Sequence, residues 1–282
     1  MNLQPVILNK YGEMTKSNRK IADYVLANWE SIAFSTLDEV AGQIGVSTTT
    51  VIRFARMLGV NGYTEFQHEL QTSLKNKVSL PRRLDISMEH TNKAKLLTDS
   101  FHNDIANLTK TLENLPVEQL ASAVDRLIRA RRVYIMGMRA CFSIAHYMAV
   151  RLGQVKENVR LIQGIGGIYP EEVISAGPED VCVSFMFPRY SRSAMNLLAW
   201  FRQVGSQMIT IAGPSHASLD EFSDIVLPCW TQGATIKNSL VAPMCLSQYL
   251  VAEVMLRDSE NAKAVLGKIE GALSQSGSFV LE

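Results

Sequence analysis

Up to about residue 80 the apolar positions repeat at helical spacing, and no run alternates at period two. The pattern is sharpest between positions 36 and 58. Leu37, Val40, Ala41 and Ile44 fall at i, i+3, i+4 and i+7, and Val51, Phe54, Ala55 and Leu58 repeat that spacing, so each set shares one helical face. The stretch from Lys77 to Asp85 breaks the pattern, because Pro81 lacks an N–H and restricts the residue before it. A linker is expected over residues 78–91. An amphipathic helix follows, with Leu96, Leu97, Ile105, Leu108 and Leu112 as its stripe, and another helix runs from about 117 to 130. From Arg131 the period changes. Short β-branched or apolar runs occupy 133–136, 159–162, 181–187, 208–211 and 225–227, with helix-like stretches at 142–152 and 193–204 between them. Apolar strands alternating with helices indicate a parallel sheet covered on both faces. A last long helix is expected at about 241–257, packing Leu246, Leu250 and Val254 on that sheet. The expected fold is an all-α helix-turn-helix domain (1–77), the linker, and an α/β domain with a five-stranded parallel sheet flanked by helices (92–280).

Residues 36–58 carry the clearest local chemistry. Thr36 and Glu39 have capping-box spacing, Gly45 supplies the left-handed geometry that ends a helix, and Ser47 caps the next one. Two short helices joined by a turn containing glycine form a helix-turn-helix. The spacing Ala41-x3-Gly45-x5-Val51 lets the helices approach closely, with the branched residue filling the angle between them. At about 100° per residue, the face opposite Val51, Phe54 and Leu58 carries Thr49, Arg53 and Arg56. Ser47, Thr48 and Thr50 lie at the helix start, where such readers touch base edges. Arginine grips guanine or phosphate, and threonine bonds either or packs on a thymine methyl.

Composition narrows the classes. With 282 residues, 47% hydrophobic and 20% charged, the chain has ample core for one large or two ordinary domains, and disorder is excluded. No run of about 18 apolar residues spans a membrane, and residues 1–11 lack the build of a secretory signal. Cys141, Cys182, Cys229 and Cys245 form no CxxC pair and have no histidine at ligand spacing. They read as reduced, mostly buried thiols in a cytoplasmic protein without a metal. A net charge of +1 argues against nucleic acid until the distribution is considered: from Val40 to Thr64 there are two arginines and no acid, so the local field is positive.

In the C-terminal half, residues 132–143 read as a strand, a glycine turn and a helix start, whose free N–H groups would suit an anion. Arg139, Cys141 and Ser143 lie there. A second loop, Phe187 to Arg192, brings Arg189, Tyr190, Ser191 and Arg192 to another helix start. Both loops are predicted at the carboxyl edge of the sheet, where doubly wound folds bind ligands.

The sequence around Ser17 to Leu26, Ala41 to Gly59 and Gly62 to Phe66 resembles the N-terminal domain of the RpiR family of bacterial regulators. The resemblance implies that residues 36–44 and 47–58 form a DNA-binding pair, supported by a helix over 63–74. The order of elements from about Thr91 to Ala272 resembles a sugar-isomerase (SIS) domain, the usual partner of that module. The resemblance implies a five-strand SIS-like fold and a ligand loop at residues 187–192, with Asn238 and Ser239 as further ligand-facing groups opening the long helix. The sequence departs from phosphosugar-binding relatives at Cys141, where a serine is usual, at Arg139 in place of a small residue, and at Met186 and Pro188 in place of serines.

Aldose–ketose isomerisation needs a positioned base. The candidates are Glu171, Glu172, His146 and His216, of which Glu171 and Glu172 read as an acid-rich helix start, His146 as a packing residue and His216 as an exposed loop residue. No spacing ties any two together. The expectation is therefore a non-enzymatic, cofactor-free transcriptional regulator of carbohydrate metabolism. It would bind a double-stranded DNA operator as a homodimer or tetramer and respond to a small anionic sugar-derived effector. A sugar-phosphate isomerase is the alternative. Cys141 is a further candidate, as a sensing thiol activated by a helix N-terminus and Arg139.

Overall fold

The computed structural model describes residues 3–77, 79–164, 170–214 and 216–276. The chain divides into two compact units, Met1–Ser100 with Ala234–Lys237, and Phe101–Gly233 with Asn238–Glu282.

The first unit contains α1 (Leu3–Lys10), α2 (Lys16–Ile32), α3 (Leu37–Ile44), α4 (Thr48–Met57), α5 (Tyr63–Lys77) and α6 (Leu80–His90). Local chemistry sets the limits of α3 and α4. The Thr36 hydroxyl accepts the Glu39 N–H at 3.3 Å, while the Glu39 carboxylate accepts the Thr36 N–H at 2.7 Å. Gly45 ends α3 with φ of 70°, a conformation that costs other L-residues about 1–2 kcal/mol. The Ser47 hydroxyl accepts the Thr50 N–H at 3.2 Å and starts α4. Val40, Ile44, Val51 and Phe54 join Ile21, Val25, Phe66 and Leu70 in one core. Phe54 meets Phe66 edge to face, 6.1 Å between centroids. α5 supports the pair directly: the Tyr63 hydroxyl and Gln67 amide both donate to the Ser35 carbonyl at 2.7 Å, just ahead of α3.

Residues 78–91, expected as a linker, hold a helix instead. α6 accommodates Pro81 in its first turn, where the missing N–H has no helical partner to lose. Its buried Arg83 donates to the Ile236 carbonyl at 2.7 Å, anchoring the returning segment Ala234–Lys237 in this unit.

α7 (Leu96–Asn114) carries the chain onward. It is followed by α8 (Val117–Arg129), β1 (Arg132–Gly137), α9 (Cys141–Gly153), β2 (Val159–Leu161), α10 (Pro170–Val173), β3 (Asp180–Met186), α11 (Arg192–Gln203), β4 (Gln207–Ala212), β5 (Ile225–Pro228), α12 (Val241–Arg257) and α13 (Ser259–Ser276). The five strands form one parallel sheet in the order β2-β1-β3-β4-β5. Alternate residues serve the two faces. Val133, Ile135, Val181, Val183 and Ile209 pack with α8, α9 and α12; Tyr134, Met136, Cys182 and Met208 pack with Leu197, Leu198 and Phe201 of α11. β3 is buried along its whole length, as a central strand covered on both faces must be. Its one hydroxyl side chain, Ser184, pairs with Thr210 of β4 at 2.9 Å.

Two expectations change. The helix at 241–257 is present, but α13 follows it, so it is not the last. The apolar stripe of α7 does not line the core: Leu97, Phe101, Ile105 and Leu112 are 73%, 66%, 58% and 76% exposed. The buried residues of α7 are Asn107 and Thr111. The reason is a polar docking. Asn107 exchanges two hydrogen bonds with the backbone of Gln232, and the Thr111 hydroxyl accepts the Trp230 N–H at 3.0 Å.

Candidate functional site

The outward face of α4 presents Ser47, Thr49, Arg53 and Arg56, all exposed, with Thr48 and Thr50 half-buried beside them. The Ser47 and Thr50 hydroxyls lie 2.8 Å apart, so both are tied to the start of the helix, while Thr49 is exposed. Arg53 has no hydrogen bond or ion pair among the described residues. Arg56 reaches the Asn61 carbonyl only at 3.5 Å, the outer limit of a hydrogen bond. At the other end of α4, Lys10 donates to the Met57 carbonyl at 2.6 Å. The face is a row of donors with two uncompensated guanidinium groups, shaped to meet an anionic, donor- and acceptor-bearing surface.

The second region lies at the carboxyl edge of the sheet. The strand after β1 is laid to one side as β2, and the next to the other side as β3, so the topological switch point falls between the ends of β1 and β3. Ligands of doubly wound sheets bind at that point. Gly137 ends β1 opposite Phe185, and the two candidate loops leave from these adjacent ends. Gly137 is required: a Cβ there would collide with the Cys141 carbonyl as α9 begins. Arg139, at φ of 56°, turns the chain into the helix.

The first turn of α9 differs from expectation. The N–H groups of Cys141, Phe142 and Ser143 donate to the carbonyls of Met138, Arg139 and Ala140, so they are not free for an anion. The Ser143 hydroxyl also donates to Ala140. Cys141 is half-buried, its sulfur near the Phe187 N–H, and burial pushes its thiol up to about 11. The desolvation of the thiolate outweighs the Phe187 donor, which counts against Cys141 as an activated thiol. Cys182 and Cys229 are buried and Cys245 is exposed.

α11 offers what α9 does not. Ser191 caps it by accepting the Ala194 N–H at 3.1 Å, leaving the N–H groups of Arg192 and Ser193 without a partner among the described residues. Arg189 and Tyr190 are half-buried next to them, and Arg192 is exposed. Arg139, Arg189 and Arg192 form no ion pair among the described residues. Asn238 and Ser239 follow β5 in the chain. They precede α12 rather than opening it, and Ser239 is committed to its own loop, donating its N–H to Thr231 at 3.0 Å and accepting the Val241 N–H at 3.3 Å.

Open cavities of about 460 and 560 Å³ lie at the amino ends of the strands. Most of their arginines are already neutralised: Arg131 pairs with buried Asp180 at 2.7 Å, and Arg126 and Arg202 with Asp224 at 3.3 and 2.8 Å, which leaves Arg129 without an ion pair among the described residues. The carboxyl edge, with unpaired cations and a helix N-terminus together, is the better anion site. The proton-transfer candidates are dispersed. The Glu172 carboxylate accepts the N–H groups of Gln163 and Gly164 at 2.7 and 3.2 Å. His216 lies 2.7 Å from Asp220 and is partly buried, and His146 is exposed on α9 rather than packed inside.

Comparison with known proteins agrees with this architecture. Residues 1–77 match the helix-turn-helix domain of the rpiR family, and residues 126–253 match the SIS domain. An uncharacterised HTH-type transcriptional regulator of Thermotoga maritima is 25% identical over 233 residues, covering 82% of each chain. The HTH-type transcriptional regulator HexR of Pseudomonas aeruginosa is 30% identical over 148 residues, 51% of this chain and 50% of that one. Among solved structures, the sugar isomerase domain of an RpiR transcription factor from Sphaerobacter thermophilus has a TM-score of 0.59 at 26% identity, covering 62% of this chain and 98% of that one. The Vibrio vulnificus NanR protein, complexed with ManNAc-6P, has the same fold over 97% of this chain and 98% of its own, with a TM-score of 0.58 at 18% identity.

Proposed function

Because the chain belongs to the RpiR family of helix-turn-helix transcription regulators with a SIS domain, we propose that it controls carbohydrate genes in response to a small anionic sugar derivative. The observation that carries this reading is the meeting of the β1 and β3 loops at the switch point, with Arg139, Arg189 and Arg192 unpaired and the N-terminus of α11 open. A phosphate or carboxylate is held there by guanidinium groups and backbone N–H groups together. The phosphosugar in the NanR complex supports a sugar phosphate or sugar acid as the class. Ser47, Thr49, Arg53 and Arg56 dock α4 in the major groove, with Thr48 and Thr50 at its start. The protein acts in the cytoplasm as a dimer on two half-sites, with residues 1–77 as reader and 92–280 as sensor.

The engagement of Glu172 and His216 supports a binder over an isomerase. Ligand and DNA are coupled only if the ligand favours one arrangement of the protein over another. A thermal-shift screen of phosphosugars and sugar acids tests the sensor: stabilisation by one class, abolished by Arg189→Ala, is expected, and a flat response across the panel rejects the site. Turnover of a stabilising sugar phosphate would instead favour the isomerase. DNA binding should be salt-sensitive and weakened by Arg53→Ala, with a salt slope shallower by about 1 for a lost phosphate contact. Equal affinity for operator and random duplex would reject the regulator reading.

A further inference from the structure

α7 is amphipathic in the wrong sense for a core helix, and the structure shows why it cannot turn over. Asn107 and Thr111 bond the backbone at Gln232 and Trp230, which fixes the roll of the helix and commits its polar side inward. At about 100° per residue, Leu97, Phe101, Ile105, Leu108 and Leu112 then fall within an arc of roughly 80° on the outer side, with no charged residue inside it. Leu108 is half-buried and the other four are exposed.

We propose that this face is where a second copy of the chain docks, by an isologous two-fold contact between antiparallel α7 helices. The proposal rests on the reading of the protein as a dimer and names the surface that makes it one. The spacing argues for a second copy. Phe101, Ile105, Leu108 and Leu112 are separated by four, three and four positions, a pattern unchanged on reversal. An antiparallel partner therefore sets Phe101 against Leu112 and Ile105 against Leu108, each contact occurring twice, as a closed two-fold interface requires. In that arrangement the flanking Asp104 meets Thr109. A parallel pair would oppose Asp104 to itself, a like-charge contact that disfavours it.

The area also fits. The five side chains leave on the order of 500 Å² of apolar surface per copy, so pairing removes about 1,000 Å², the size at which a specific interface becomes credible. The arc is apolar at its centre and polar at its margins, as the buried middle of a subunit interface is.

The test is the mass of the full chain in solution, by sedimentation equilibrium or light scattering. The wild-type protein should be a dimer, and Ile105→Lys with Leu112→Lys should raise the dissociation constant at least about 100-fold with an unchanged helical circular dichroism spectrum. In a Cys245→Ser background, Ile105→Cys, close to the two-fold axis, should form a disulfide-linked dimer under mild oxidation. Ala106→Cys, on another side of α7, should not. A wild-type dimer that survives the double lysine variant and fails to crosslink through position 105 overturns the interface and leaves the dimer reading standing. A wild-type protein that stays monomeric at all concentrations overturns both.

Discussion

Asn107 grips both polar groups of one peptide residue: its amide donates to the Gln232 carbonyl at 2.7 Å, and its carbonyl accepts the Gln232 N–H at 3.1 Å. The side chain is 2% exposed, and the two bonds join positions 125 residues apart in sequence. They finish a stretch beyond β5 whose backbone has no further strand to pair with. Replacing Asn107 with Leu, of similar size, should leave both backbone groups of half-buried Gln232 unpaired against an apolar side chain and destabilise the fold by about 2–3 kcal/mol. Urea denaturation measures this. A loss under about 0.5 kcal/mol, the scatter of ordinary surface substitutions, would mean that water or another side chain takes over.

The helix-turn-helix should be sensitive to two small changes that touch no DNA. Thr36→Ala removes one half of the capping box and should cost about 1 kcal/mol. Gly45→Ala forces a Cβ into the left-handed region and should cost about 1–2 kcal/mol. Both should lower the unfolding temperature of the first unit, with operator affinity at low temperature changed far less than by Arg53→Ala.

Gly137→Ala probes the switch point. The new Cβ meets the backbone carbonyl of Cys141, which cannot yield as a flexible side chain would, so α9 must shift away from β1. Overpacking of this kind costs about 1–3 kcal/mol. It should also weaken effector binding, read by calorimetry on the folded variant, more than a distant substitution of equal stability cost.

The thiols predict a pH dependence. Burial raises Cys141 to about 11 and Cys229 to about 12, against an ordinary value of 9.0. Above pH 9 the unfolded chain releases these protons while the folded chain keeps them, so the unfolded state binds fewer protons and stability falls as pH rises. The decline should begin near pH 9 and amount to about 1 kcal/mol per pH unit for each such thiol. Alkylation at pH 8 should mark exposed Cys245 first and leave Cys141 largely unmodified; rapid labelling of Cys141 would contradict the burial argument.

What the sequence reveals follows the range of the interactions involved. The α3–turn–α4 unit is legible because Thr36, Glu39, Gly45 and Ser47 act within three or four positions of themselves. The strands are legible because β3, covered on both faces, is mostly apolar along its length. The orientation of α7 is not, since the partners of Asn107 and Thr111 lie more than a hundred residues away. Pro81 misleads because one residue both breaks a helix and starts one. α13 hides because it buries only Ala262 and Val265, too few to mark a stripe. At the site, the arginine loops are visible as composition at helix starts. Two features are not: the turn that uses up the α9 N–H groups, and the burial that outweighs the Phe187 donor at Cys141. Both depend on how Arg139 and Phe187 fold around them.

The sheet order has a consequence for how the chain assembles during synthesis. The helices of residues 3–77 find their core partners within that stretch and emerge first, so this part can form while the α/β part is still being made. The sheet has no such shortcut. β1 can pair with β2 once residues 159–161 have been made, but its other edge must wait until β3 has appeared, pairing Arg132 with Asp180. Contacts of that separation slow folding, and β1 spends the interval as an apolar segment without its main neighbour, the stage at which such a chain is most prone to aggregate.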